Sequence, residues 1–113
     1  AWGLTFKART DDLRDSPSLS VLSRLAQKGA AVRAYDPAVR APLDGIEVVD
    51  DPYDAVDGAE VLLVLTEWDD FKWLDLDDVA ARMVARRVVD ARNLLDRTAL
   101  KRRGFEYRGI GRN

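Results

Sequence analysis

The run Val61-Leu62-Leu63-Val64-Leu65 constrains the fold more than any other feature of this chain. It is the length of a strand, and it offers apolar side chains to both faces of any sheet it joins. Such a strand is stable only when both faces are covered, the usual condition of a parallel strand between layers of helices. The rest of the sequence agrees. Short runs rich in β-branched residues recur at residues 31–35, 47–49 and 88–90, with a first strand expected at 1–5 and a last at 105–110. Helical spacing fills the gaps. Ser16-Pro17 opens a helix, because serine caps a first turn and proline suits its start. Leu19, Leu22, Leu25 and Ala26 form its apolar stripe, and Gly29 ends it in the left-handed conformation. Further helices are expected at residues 52–56, 76–83 and 96–103.

The order β-α-β-β-α-β-α-β-α-β predicts an α/β fold, a Rossmann-like three-layer α/β/α sandwich with a mostly parallel sheet of five to six strands. With 113 residues, 47% of them hydrophobic, there is material for one core, so residues 1–113 are read as a single domain. The start at Ala1, without a methionine, is read as that of a domain cut from a longer protein. A net charge of -2 gives no general pull toward nucleic acid or an anionic membrane. No apolar stretch approaches the roughly 20 residues of a membrane span. The chain has neither cysteine nor histidine. Disulfides, Cys/His zinc sites, and thiol or imidazole catalysis are therefore excluded, and a cytoplasmic location is expected. No catalytic residue and no metal site are assigned.

Ligands on doubly wound sheets bind beyond the C-terminal ends of the strands. Four segments should share that rim: residues 6–14, Asp36-Pro37, residues 66–70 and residues 90–93. The first lacks the Gly-x-Gly-x-x-Gly turn of a dinucleotide site, so this domain is not expected to hold a dinucleotide by itself. Lys7, Arg9 and Arg14 can pair with phosphate and Phe6 can line a pocket, or the cations can be surface charges partnering Asp11, Asp12 and Asp15. Arg92, just past a buried strand, can reach the rim with its planar fork, or can be held in a structural pair with Asp90 or Asp96. Trp68 and Phe71 beside carboxylates at a strand end can form a sugar-binding edge, or can pack a helix onto the sheet with Thr66 and Glu67 as its caps. The carboxylates Asp69, Asp70, Asp75, Asp77 and Asp78 lack the glycine and terminal glutamate of a calcium loop and fit helix N-terminal charge instead.

The segment Gly3-Leu4-Thr5-Phe6-Lys7, continued by Thr10-Asp11-Asp12-Leu13-Arg14 and Ser16-Pro17, resembles the opening of the C-terminal domain of the UDP-glucose/GDP-mannose dehydrogenases. Ala34-Tyr35-Asp36-Pro37, Leu65-Thr66-Glu67-Trp68 with Phe71, Asp90-Ala91-Arg92-Asn93, and the stretch from Tyr107 to Gly111 match further family segments in the same order. The resemblance implies the UDP-sugar-binding domain of an NAD-dependent UDP-glucose (nucleotide-sugar) 6-dehydrogenase. Such an enzyme oxidises the sugar C6 alcohol to a carboxylate. It implies that Phe6, Lys7 and Arg92 contact the nucleotide sugar and that Arg14 reaches toward the cofactor. NAD would be bound mainly by an N-terminal domain of the same protein, which would also bring a dimerising central helix and form a homodimer. The family's catalytic cysteine lies before this domain, so the fragment alone is not expected to be active. The alternative is a non-catalytic Rossmann-like binding or assembly module, consistent with the missing cysteine, histidine and glycine turn.

Overall fold

The computed structural model describes residues 1–5, 13 and 16–109. Helix α1 (Pro17–Gln27) begins where expected, with Pro17 in its first turn and the Ser16 hydroxyl accepting from the Leu19 N–H at 3.4 Å. It ends before Gly29, whose φ of 95° is the left-handed conformation read from the sequence. Strands β1 (Val32–Tyr35) and β2 (Ile46–Val49) pair in parallel. Helix α2 (Pro52–Val56) follows, capped by the Asp51 side chain. Strands β3 (Leu62–Val64), β4 (Arg87–Asp90) and β5 (Glu106–Gly109) form a second parallel sheet in that order. A 3-10 turn (Asp69–Trp73) and helix α3 (Leu76–Arg82) connect β3 to β4, and helix α4 (Arg97–Arg102) connects β4 to β5.

The expected first strand is shortened to a bridge. Trp2 pairs in parallel with both Tyr35 and Val64, so this segment lies between β1 and β3. Its backbone is bonded on both sides: Trp2 N–H to the Leu63 carbonyl and Gly3 N–H to the Tyr35 carbonyl, both at 2.8 Å. The ladder stops there for a local reason. Gly3 has φ 109°, a conformation closed to side chains, and a Cβ on it would lie 2.5 Å from the Thr66 hydroxyl. The Leu4 and Thr5 amides then turn to a side chain instead of to a neighbouring strand.

The apolar run behaves as its composition requires. Leu62 and Val64 enter one core cluster with Trp2, Phe71, Val79 and Leu100, while Leu63 and Leu65 pack into another with Leu4, Leu22, Ala34 and Ile46. Successive strand residues point to opposite faces, so β3 is covered on both. Trp2 is fully buried and stacks on Phe71 with ring centroids 5.4 Å apart, and Tyr35 meets Phe71 edge-on at 6.3 Å. A side chain of this size buries about 150–250 Å², which at about 25 cal/mol per Å² contributes on the order of 4–6 kcal/mol before entropy is counted.

Candidate functional site

Three of the four expected rim segments meet at the C-terminal ends of β1, β3 and β4. With β1 on one side of Trp2 and β3 on the other, the strand order reverses beside this segment, and that reversal is where open α/β sheets bind ligands.

Asp36 organises the first part of the rim. It follows β1 directly and is fully buried. Its carboxylate accepts from the Leu4 N–H at 2.8 Å, the Thr5 N–H at 3.1 Å, the Thr5 hydroxyl at 3.2 Å, the Ala38 N–H at 2.8 Å and the Trp68 indole N–H at 3.2 Å. A buried carboxylate is tolerated when its lone pairs are filled this way. The network binds three separated pieces of chain at one point, directly before Phe6 and Lys7 in the sequence.

The segment after β3 touches every other part of the rim. The Thr66 hydroxyl donates to the Thr5 carbonyl at 3.1 Å, and Trp68 donates to Asp36. The helix expected here is the 3-10 turn, which has no side-chain cap. The turn starts after Trp68, two residues beyond Thr66, whose hydroxyl instead donates to the Thr5 carbonyl. Phe71 does pack inward, as the spacing from Trp68 predicted.

The segment after β4 is built on Asp90, also fully buried. Its carboxylate accepts from the Arg92 N–H at 3.1 Å, the Leu95 N–H at 2.7 Å and the Tyr107 hydroxyl at 3.0 Å. Asn93 takes a left-handed φ of 53°, and its side-chain oxygen sits where a Cβ on Gly109 would be. Arg92 thus leaves a pinned turn and reaches back across to β3. Its Nε donates to the Leu65 carbonyl at 3.0 Å and its Nη1 pairs with Glu67 at 3.3 Å. Asp90 meets Arg92 through the backbone, and Asp96 caps α4 by accepting from the Ala99 N–H.

Of the residues singled out from the sequence, Arg92 stands on this rim, while Phe6, Lys7 and Arg14 lie outside the described residues. Sequence reasoning missed the central part of Asp36. The available signal was an acidic residue between a strand and a proline. Most of the acidic residues after β3 have structural partners. Asp75 caps α3 through the Asp77 and Asp78 amides, Asp78 pairs with Arg82, Asp77 with Arg103, and Asp69 with Lys72.

An open cavity of about 480 Å³ adjoins the rim, lined by Tyr35, Pro52, Asp69, Asp70, Phe71, Trp73 and Leu74. Arg40 covers the Tyr35 ring at 5.3 Å and donates to the Asp36 carbonyl. A larger cavity of about 790 Å³ lies at the other end of the strands, around residues 29–33 and 57–61. Arg92 lines neither. Among the described residues no helix is long and apolar enough to cross a membrane.

Among the described residues the rim shows no dinucleotide turn. A dinucleotide site needs a glycine turn open to pyrophosphate and a carboxylate free to accept from a ribose hydroxyl. Here Gly3 is packed against Thr66, and both oxygens of Asp36 are occupied by the protein's own donors.

The fold and rim define an α/β domain in which the ends of its parallel strands share one rim. Residues 1–97 match the family model described as the UDP-glucose/GDP-mannose dehydrogenase family, UDP binding domain, and the chain belongs to that family. It is 40% identical over 97% of its length to the UDP-glucose 6-dehydrogenase of Rhizobium meliloti, and 40% identical over 98% to that of Pseudomonas aeruginosa. It spans 26% and 27% of those two proteins. Among solved structures, NDP-N-acetyl-D-galactosaminuronic acid dehydrogenase from Methanosarcina mazei matches 99% of this chain with a TM-score of 0.87 at 29% identity, the match covering 24% of that protein.

Proposed function

We propose that this chain is the nucleotide-sugar-binding domain of an NAD-dependent nucleotide-sugar 6-dehydrogenase, with UDP-glucose as its substrate. The enzyme would oxidise the sugar C6 alcohol to a carboxylate. Family membership supports the class, and the two relatives at 40% identity, both UDP-glucose 6-dehydrogenases, support the sugar. The observation that carries the reading is Arg92, a cation on a pinned turn after β4 that reaches across to the end of β3, where a bidentate fork suits a diphosphate. Phe6 and Lys7 are read as further contacts to the nucleotide sugar, and Arg14 as a contact toward the cofactor. NAD supplies hydride acceptance when bound, and it is assigned to another domain of the full-length protein. This chain's part is to bind and orient the diphosphate so that the sugar C6 faces that domain, in a homodimer. The two core clusters on opposite faces of β3, and Trp2 bridging both sheets, support reading the fold as one six-stranded parallel sheet in a three-layer sandwich, with residues 1–113 as one domain.

The test is NADH formation by the full-length protein. It should require a nucleotide sugar, with UDP-glucose preferred over UDP-N-acetylmannosamine and GDP-mannose. Arg92→Ala should weaken UDP binding by roughly ten- to a hundredfold, the worth of one charged hydrogen bond of about 1.5–3 kcal/mol. Unchanged UDP affinity in Arg92→Ala and Lys7→Ala, with no sugar-dependent NADH, would favour a non-catalytic assembly module instead.

A further inference from the structure

In the segment from Leu65 to Trp68, Glu67 alone has an exposed side chain. Its neighbours hold its backbone from both sides. Thr66 is fully buried and bonded to the Thr5 carbonyl, and Trp68 is bonded to buried Asp36. Arg92 stands on an equally fixed base, since Asp90 accepts from its own amide and from that of Leu95. The Leu65 carbonyl that receives Arg92 Nε also accepts from the buried Ser18 hydroxyl in the first turn of α1. The carboxylate and the guanidinium are thus held at 3.3 Å by two rigid turns rather than by a chance meeting of long side chains. The pair is nevertheless partly open to water, with side-chain exposures of 33% for Arg92 and 44% for Glu67. Pairs this exposed add little to fold stability and are easily opened. The carboxylate's charge, by contrast, lies beside the cation until a ligand opens the pair.

We propose that Glu67 is the resident counter-ion of Arg92: an anionic ligand must share the guanidinium with it or displace it, and Glu67 thereby sets how strongly this rim responds to ligand charge. The inference rests on Arg92 being a phosphate contact. Leu65 and Glu67 together act as a positioning pair. The carbonyl holds the Nε edge of the fork at no cost in charge, whereas the carboxylate holds Nη1 and also repels a diphosphate. Removing the charge while keeping an acceptor separates the two effects. Glu67→Gln retains an oxygen for Nη1, so Arg92 stays aimed while the repulsion is lost.

The experiment is titration calorimetry of the full-length protein, wild type and Glu67→Gln, with UDP, UMP and uridine. UDP should bind the variant more tightly by about two- to fivefold, the scale of an exposed ion pair. UMP should gain less, and neutral uridine should be unchanged. The gain should shrink at high ionic strength, where screening shortens the reach of the missing charge. A gain equal for all three ligands, no gain, or weaker UDP binding overturns the proposal. Arg92→Ala in the same titrations separates the two levels. If Arg92→Ala weakens UDP binding and Glu67→Gln leaves it unchanged, only the counter-ion role falls. If Arg92→Ala leaves UDP binding unchanged, the reading of Arg92 falls with it.

Discussion

Asp36 shows how much a single residue can hold together when its donors come from distant parts of the chain. The amides of Leu4 and Thr5 lie more than thirty positions away in sequence, and so does the Trp68 indole. Asparagine has the same shape but only one acceptor oxygen, and its amide group would face donors on one side of the network. Asp36→Asn should therefore cost roughly 2–4 kcal/mol, the loss of more than one charge-assisted bond in a buried site. A lowered denaturant midpoint at unchanged slope would show it, and a change under about 0.5 kcal/mol would sink the account. Tyr107→Phe removes one neutral donor from the comparable Asp90 network and should cost only about 1 kcal/mol, read the same way. The sequence shows Asp36-Pro37 as a strand end and Asp90 as the last residue of another. It does not show that either carboxylate turns inward, because that depends on which amides the topology leaves unpaired. The family pattern joining Asp90, Asn93, Tyr107 and Gly109 is legible as a pattern, and its physical reason emerges only in three dimensions. Tyr107 reaches Asp90, and Gly109 leaves room for Asn93.

Elements were most legible where local chemistry decides them. Helix α1 has its cap, its proline and its terminal glycine all within the sequence that forms it. Ser16 also does something that no local rule reveals: its hydroxyl donates to the Leu4 carbonyl at 2.7 Å, fastening the helix start to the rim. Ser16→Ala should thus exceed an ordinary capping loss of about 1 kcal/mol and approach about 2 kcal/mol. Restoring only the cap with Ser16→Asn should recover part of the denaturation midpoint, and full recovery would show that the bond to Leu4 contributes nothing. The segment after β3 was the hardest to read. Its apolar spacing is helical, yet Thr66 and Trp68 are drawn into bonds with Thr5 and Asp36, and only the 3-10 turn remains. Trp73, in that same turn, is 82% exposed despite its size. Replacing it with serine should leave stability within about 0.5 kcal/mol, since so little of the ring is removed from water by folding.

At the scale of the molecule, the two parallel sheets meet at Trp2. Its backbone bridges β1 and β3, and its ring stacks on Phe71, which in turn meets Tyr35 at the end of β1. Its indole N–H adds a bond to the Pro52 carbonyl at 3.0 Å, tying in the start of α2. The alternation of strands and helices predicted a mostly parallel sheet, but which residue joins its halves could not be read, because Gly3 interrupts the first strand immediately after Trp2. A joint of this kind makes the halves depend on each other. Trp2→Ala would leave a cavity against Phe71 and lose the indole bond to the Pro52 carbonyl, at a cost of about 3–5 kcal/mol. The loss should be felt on both sides at once, lowering one cooperative transition rather than splitting it in two. Hydrogen exchange can decide this. The amides of β1 and β2 and those of β3, β4 and β5 should lose protection in parallel in the variant. Protection lost in one sheet and kept in the other would show that the halves are stable apart and that Trp2 only touches both.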